Sequence, residues 1–188
     1  MSAPDAYLPP RYILAPYVAT ADDVVEHMLD LAGVGPDDVV FDLGCGDGRL
    51  AIAAARRGAL AYGVDIEPWW VEHSRLNAEA AGVSDRARFE QRDAMDVDVS
   101  TASVVVLYLV HWSTQRMAAE LLERCAPGTR VVSNSFPFEG CAGARTQPII
   151  DATGKPRDLH LWVLPERDAP AVAGNVEQQQ FQKDQACD

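Results

Sequence analysis

The sequence predicts an α/β protein built on a doubly wound, mostly parallel sheet of seven strands with an antiparallel edge strand. Residues 39–50 combine an apolar β-branched run, three alternating glycines and the start of an alanine-rich segment, the pattern of strand, tight turn and helix. Further strand-like runs alternate with helical segments, which is typical of parallel sheets. Two final strand-like segments flank a short turn, which predicts an antiparallel pair at one edge of the sheet.

The N-terminal residues 1–20 are rich in proline and are expected to form an irregular lid segment. A helix is expected over residues 21–32 because apolar residues recur there at helical spacing. Thr20 stands where a side chain can cap this helix. Asp22 and Asp23 in its first turn complement the helix dipole.

The turn after the first strand carries three glycines at alternate positions, Gly44, Gly46 and Gly48. Glycine permits a positive φ and removes side chains that would keep a ligand away from the main chain. A helix expected over residues 50–57 begins beside this turn, an arrangement that forms nucleotide sites in α/β sheets. The spacing differs from the G-x-G-x-x-G of dinucleotide enzymes. Asp42 is a charge in an apolar strand, so a cationic or hydrogen-bonding ligand is expected beside it.

The next two strands are each followed by a carboxylate. The second strand, expected over residues 61–65, ends at Asp65, a position that suits the hydroxyl groups of a ribose. A helix over residues 68–81 has proline at its first position, as many helices do. The third strand is expected over residues 87–91, and Asp93 follows it.

The run over residues 103–109 is the most strand-like of the chain, and its consecutive valines predict a strand buried on both faces. Three side chains that could line a site follow its carboxyl end: Tyr108, His111 and Trp112. Ser113 can cap a helix over residues 114–125.

The fifth strand is expected over residues 130–133, and the antiparallel pair over residues 147–151 and 160–164. Hydrophobic periodicity is lost beyond this pair. We therefore expect one domain over residues 21–165 and a disordered tail over residues 166–188.

Composition restricts the function classes. A net charge of -12 argues against nucleic acid as a partner, because nucleic-acid binding depends on clustered Lys and Arg. A basic protein partner suits this charge, although an acidic surface more often serves simple solubility than docking. The four cysteines lack metal-ligand spacing, which predicts no metal site and reduced thiols in a cytoplasmic protein. No apolar run reaches the length of a membrane span.

The motif Asp-Leu-Gly-Cys-Gly-Asp-Gly over residues 42–48, with the acids that follow it in order, resembles motif I and its sequels in class I S-adenosylmethionine-dependent methyltransferases. This Rossmann-like family implies S-adenosyl-L-methionine as the cofactor and S-adenosyl-L-homocysteine as its product. The cofactor-binding residues that the resemblance implies are Tyr17, Thr20, Asp42, Gly44, Gly46, Asp65, Ile66, Asp93, Ala94 and Tyr108.

Within this class the chain resembles a group of protein-lysine methyltransferases that includes archaeal enzymes and mitochondrial relatives acting on ATP synthase or the adenine nucleotide carrier. The shared segments are residues 16–20, 42–49, 52–55, 68–69, 127–133 and 136–138. Ala19 replaces the usual proline, and the residues around His111 do not follow the group. The resemblance implies methyl transfer to a lysine amine of a protein.

A lysine amine must be neutral to accept a methyl group, and an apolar, aromatic pocket disfavours its charged form. The candidate walls of such a pocket are Tyr17, Tyr108, His111, Trp112 and Phe136. We take Tyr108, His111 and Tyr17 as candidate catalytic residues, with His111 also able to relay a proton. Each has a structural alternative, as a core aromatic residue, a hydrogen-bonded loop histidine or part of an extended segment.

Two other functions stay open at this point. A methyltransferase for a small metabolite fits the short chain, which has no inserted recognition domain. A cofactor-binding protein without catalysis, or a dinucleotide enzyme, is the alternative from a different class. Selective binding of S-adenosylhomocysteine over NAD would exclude the dinucleotide enzyme.

Overall fold

A computed structural model describes residues 17–137 and 144–165, except for the side chain of Leu122. Seven strands form one sheet in the order β3-β2-β1-β4-β5-β7-β6. The strands are β1 Val39–Leu43, β2 Leu60–Asp65, β3 Ala87–Gln91, β4 Val104–Leu107, β5 Arg130–Asn134, β6 Arg145–Ile150 and β7 Pro156–Val163. The helices are α1 Asp22–Ala32, α2 Arg49–Arg56, α3 Pro68–Ala80 and α4 His111–Arg124, with a short 3-10 helix over Ala94–Asp96. The fold class predicted from the sequence is confirmed.

Strands β1 to β5 are mutually parallel, and β7 is antiparallel to both of its neighbours, β5 and β6. The predicted antiparallel pair at the edge is therefore present, with β7 inserted between β5 and β6. Because β7 runs opposite to the parallel strands, the turn between β6 and β7 lies at the same edge as their carboxyl ends.

The centre of the sheet is buried on both faces, and alternate residues of β4 pack into different cores. Val104 and Val106 of β4 pack with α1, α2 and α3, whereas Val105 and Leu107 pack with α4. All four side chains are fully buried, and each contributes about 1.5–3 kcal/mol through removal from water. The predicted burial of this strand on both faces is confirmed.

Two predicted helix starts are wrong. Helix α1 has Ala21 as its N-cap residue, and no side chain caps it, so Thr20 does not have the predicted capping role. Helix α4 begins at His111 rather than after Ser113, because the backbone N–H of Thr114 already donates to the carbonyl of Val110 at 3.0 Å. This earlier start makes His111 and Trp112 part of the first helical turn.

Several sequence predictions concern residues outside the described ranges. These are residues 1–16 of the N-terminal segment, Phe138, and the tail over residues 166–188. Within residues 17–137 and 144–165, no helix combines the length and apolar character that crossing a bilayer would require.

Candidate functional site

A cleft opens at the carboxyl ends of β1 and β4, where the strand order reverses around the centre of the sheet. Ligands of open α/β sheets bind at this kind of position. Nine of the predicted site residues line the cleft: Tyr17, Thr20, Asp42, Gly44, Gly46, Asp65, Ile66, Ala94 and Tyr108. The fold therefore gathers most of the predicted set around one space.

The glycine turn forms the floor of this cleft. Gly44, Gly46 and Gly48 all have positive φ, between 53° and 84°. A Cβ added at Gly48 would lie 2.7 Å from the Ser74 Cβ and 2.8 Å from the ring of Phe89. Glycine is thus required here both for backbone conformation and for the close packing of the turn against α3 and β3.

Asp42 lies beneath this turn with only 2% of its surface exposed. Its Oδ2 atom has no hydrogen-bond partner among the described residues. Burial, and then the nearby charge of Asp65, raise the pKa of the Asp42 carboxyl to about 8. A buried acid of this kind is stabilised by a cationic ligand, so the site fits a cofactor that carries sulfonium and ammonium groups.

Asp65, at the end of β2, holds the glycine turn in place. Its Oδ2 accepts a hydrogen bond from the backbone N–H of Gly46 at 2.9 Å, and its Oδ1 accepts one from the N–H of Glu67 at 3.0 Å. This contact with the turn could not be derived from the sequence spacing. The carboxylate also lines the cleft, where it retains acceptor capacity for ligand hydroxyl groups.

Tyr17 covers the glycine turn. Its ring stacks on the indole of Trp70 with centroids 3.8 Å apart, and a Cβ added at Gly46 would lie 2.6 Å from the Tyr17 Cε2. Burial and the neighbouring charge of Asp47 raise the pKa of the Tyr17 phenol. The ring therefore occupies the place over the turn that a lid residue would take.

Arg49 ties Thr20 to the start of α2. Its guanidinium donates to the carbonyl of Thr20 at 2.5 Å and to the carboxylate of Asp47 at 2.6 Å. Burial opposes ionisation of Asp47, but the hydrogen bonds and charge of Arg49 outweigh it and lower the pKa of that carboxyl. Thr20 is thus held at the cleft by its backbone.

The residues after β4 separate into two groups. Tyr108 is half-buried and lines the cleft. His111 and Trp112 are exposed at the start of α4 and do not line the cleft; the His111 ring faces the edge of Phe136 with centroids 6.1 Å apart. The structure thus does not bring His111 together with Tyr17 and Tyr108 in the lining of the cleft.

Asp93 also does not line the cleft. Its Oδ1 accepts a hydrogen bond from the backbone N–H of Met95 at 2.9 Å, which caps the short 3-10 helix and places Ala94 at the cleft wall. Asp93 is thus a neighbour of the lining in this structure, and its predicted contact with the adenine stays a prediction.

The sequence reasoning missed Arg157, at the start of β7. Its Nη1 lies 3.5 Å from the hydroxyl oxygen of Tyr108. The signal that could have indicated this contact is the antiparallel direction of the last strand pair, which returns its turn to the carboxyl edge of the sheet.

Cysteine and metal chemistry find no support in the described residues. Cys45 and Cys125 are buried, and burial raises the pKa of the Cys45 thiol, which disfavours a reactive thiolate. Across residues 17–137 and 144–165, no group of His, Cys, Asp or Glu side chains is arranged to hold a metal ion.

A seven-stranded sheet of this order, with a glycine turn over a buried acid at the end of β1, defines a class I S-adenosylmethionine-dependent methyltransferase. The chain belongs to the ANTKMT methyltransferase domain family, whose profile matches residues 42–145. The methyltransferase class, its fold and its cofactor were all predicted from the sequence and are confirmed.

Relatives of the chain include a protein-lysine N-methyltransferase of Saccharolobus islandicus, which is 40% identical over 80% of this chain and 94% of the relative. An adenine nucleotide translocase lysine N-methyltransferase of Mus musculus is 34% identical over 69% of the chain. The match spans 56% of that longer relative.

A crystal structure of an RNA methyltransferase from Salinibacter ruber in complex with S-adenosyl-L-homocysteine superimposes with a TM-score of 0.74. It is 42% identical to this chain, and the match covers 81% of this chain and 97% of that one. The names of these similar proteins thus include both protein and RNA acceptors.

Proposed function

We propose that this methyltransferase transfers a methyl group to the side-chain amine of a lysine in a protein. The observation that carries the proposal is the aromatic and apolar wall of the cleft beside the cofactor turn, formed by Tyr17, Tyr108 and Leu109. Such a wall suits a long apolar side chain that ends in an amine. The lysine acceptors of the archaeal and mouse relatives support the same assignment.

A lysine acceptor sets an energetic requirement that this wall can meet. The unperturbed lysine pKa is about 10.4, so presenting a neutral amine at neutral pH costs about 4–5 kcal/mol in water. Burial against apolar and aromatic side chains lowers that pKa, and a neighbouring cationic cofactor lowers it further. The residues we assign to this acceptor side are Tyr17, Tyr108 and His111.

The cofactor supplies an activated methyl group, so the protein has to bind, align and exclude water. We assign Asp42, Gly44 and Gly46 to the amino-acid part of the cofactor. Asp65 and Ile66 are assigned to its ribose, and Asp93 and Ala94 to its adenine. Tyr17 and Thr20 would close over the methionine end, next to Tyr108.

In the transfer step, the lone pair of the acceptor nitrogen would form the new bond to the methyl carbon as the carbon–sulfur bond breaks. The electron pair of the broken bond would return to sulfur, and one proton would leave the nitrogen.

RNA is the second candidate acceptor, because the Salinibacter ruber neighbour is named an RNA methyltransferase. The net charge of -12 disfavours it, since phosphate contacts depend on clustered Lys and Arg. A small metabolite is the third candidate and needs no docking surface.

Radiolabelling separates these acceptors. The protein is incubated with tritiated S-adenosylmethionine and a heat-treated cell lysate, and the products are then digested with protease or ribonuclease. We expect protease-sensitive label that acid hydrolysis releases as methyllysine. Ribonuclease-sensitive label, or label confined to small molecules, would contradict the proposal.

Self-labelling can be controlled because lysine occurs at only two positions of the chain, Lys155 and Lys183. A Lys155→Arg, Lys183→Arg double variant cannot label its own lysines, so methyllysine formed by it must come from the lysate. Asp65→Ala serves as the cofactor-binding control. We also propose a cytoplasmic location, based on the free thiol of Cys45, which cell fractionation would test.

A further inference from the structure

The hydroxyl of Tyr108 is contacted by Arg157, which lies at the start of β7 on the same edge of the sheet. The guanidinium Nη1 lies 3.5 Å from the phenolic oxygen, a long contact of the kind that tightens when an active site is filled. Tyr108 belongs to the cleft wall, whereas Arg157 does not line the cleft. Tyr108 is thus the lining residue through which Arg157 contacts the cleft.

Arg157 is fixed in place by Asp151. The Nε atom of Arg157 donates to the Asp151 Oδ2 at 3.1 Å. The other oxygen of Asp151 accepts hydrogen bonds from the Thr153 hydroxyl at 2.6 Å, the Thr153 N–H at 2.9 Å and the Lys155 N–H at 3.0 Å. These bonds, the Thr153 hydroxyl first, lower the pKa of the Asp151 carboxyl and keep it ionised.

The turn that carries these residues is also tied to the body of the protein. The backbone N–H of Ala152 donates to the Asp23 carboxylate of α1 at 2.5 Å. Asp151 itself is only 4% exposed. The guanidinium of Arg157 is thus presented to Tyr108 by a hydrogen-bonded turn rather than by a free surface side chain.

The chemistry of the two groups sets the direction of their hydrogen bond. A guanidinium has only donors, so the phenolic oxygen of Tyr108 must accept, and that oxygen keeps a second lone pair. A neutral amine has two N–H donors and one lone pair. A hydrogen-bond acceptor that binds one N–H of this amine fixes the direction in which the amine lone pair points.

We propose that Arg157 is a positioning residue that fixes the Tyr108 hydroxyl, so that its oxygen accepts an N–H of the acceptor amine and aims the amine lone pair at the methyl group. This inference rests on the proposed lysine methylation. Asp151 acts one step further away, by holding the guanidinium.

Nuclear magnetic resonance tests the contact without any acceptor. The chain has five tyrosines, so carbon-13 labelling at tyrosine Cζ produces five signals, and Tyr108→Phe assigns one of them. Arg157→Gln should shift the Tyr108 signal, whereas Lys155→Gln, a charge loss on the exposed part of the same turn, should leave it in place. An unshifted Tyr108 signal in folded Arg157→Gln overturns the proposal. Should that variant fail to fold, Arg157→Lys, which keeps the charge and removes the fork, is compared in the same way.

The effect on catalysis is tested by steady-state kinetics, with the lysate protein identified by radiolabelling as the substrate. Arg157→Gln should lower kcat about five- to tenfold, the effect of one lost hydrogen bond, with the Kd for S-adenosylhomocysteine unchanged. The double variant Arg157→Gln, Tyr108→Phe should have the same kcat as Tyr108→Phe alone. A double variant whose loss of kcat equals the product of the two single losses would overturn the proposal. If the wild-type protein labels no lysine, the proposed function fails; a shifted Tyr108 signal would then still show that Arg157 holds the hydroxyl.

Discussion

The Tyr17 ring stacks on the Trp70 indole with centroids 3.8 Å apart, which joins the N-terminal segment to the first turn of α3 across the glycine turn. Both residues line the cleft. The start of the described chain, residues 17–20, is thus held over the cleft by an aromatic contact.

We expect Tyr17→Ala to weaken binding of S-adenosylhomocysteine about tenfold, because an aromatic pair contributes about 0.5–1.5 kcal/mol beyond the area that it buries. Tyr17→Phe keeps the stack and should bind nearly as the wild type does. Titration calorimetry measures both affinities. Equal affinities for wild type and Tyr17→Ala would mean that this segment does not close over the cofactor.

Asp42 predicts a pH dependence of cofactor binding. In the absence of ligand the pKa of this carboxyl is about 8, so the acid is neutral at pH 7, whereas a bound cation favours the carboxylate. Binding should therefore release a proton. The affinity for S-adenosylmethionine should rise by up to about tenfold per pH unit below pH 8 and level off above it.

Asp42→Asn is the control for this pH dependence, because an amide cannot ionise and most of the slope should disappear. Calorimetry over a series of pH values, in buffers of different ionisation enthalpy, counts the released proton directly. A wild-type slope equal to that of Asp42→Asn would exclude Asp42 as the titrating group.

The same carboxyl should make the ligand-free protein less stable as pH rises. Its pKa is near 3.8 in the unfolded chain and about 8 in the folded protein, so between these values the folded state holds the extra proton. Unfolding then releases a proton, and the free energy of unfolding falls with increasing pH. Urea denaturation at pH 5 and pH 8 should show a larger loss for wild type than for Asp42→Asn.

Two glycines with the same φ of 81° separate backbone strain from packing. Gly48→Ala should cost about 3 kcal/mol of unfolding free energy, because the new Cβ would meet Ser74 and Phe89 as well as adopting a left-handed conformation. Gly128→Ala, whose Cβ would meet nothing within 4 Å, should cost about 1 kcal/mol. Equal losses in urea denaturation would show that the turn accommodates a side chain.

Asp65→Ala should weaken S-adenosylhomocysteine binding about ten- to hundredfold, the effect of losing charge-assisted hydrogen bonds. Part of this loss comes from the Gly46 N–H, which loses its acceptor. Asp65→Asn keeps one acceptor oxygen and should fall between Ala and wild type. Calorimetry gives the affinities, and circular dichroism checks the fold. An Asp65→Ala variant that binds S-adenosylhomocysteine as tightly as the wild type would show that Asp65 does not contribute to cofactor binding.

Much of the cofactor side of the site could be predicted from local sequence. The β-branched run, the three glycines and the alanine-rich helix that follow one another over residues 39–56 are each determined by backbone preferences. An acid inside such a run points to a cation because burying an unpaired charge is costly. These are short-range signals, and Asp42, Gly44 and Gly46 lie at the cleft as the sequence indicated.

What only the tertiary structure decided depends on contacts between distant parts of the chain. Helix α4 begins one turn earlier than its serine suggested, which makes His111 part of the first helical turn and not of the cleft lining. Arg157 reaches Tyr108, 49 residues away in sequence, because the antiparallel β7 brings its first residues to the carboxyl edge of the sheet. Periodicity and capping preferences describe one element at a time, whereas strand order and direction determine which side chains meet at the edge of the sheet.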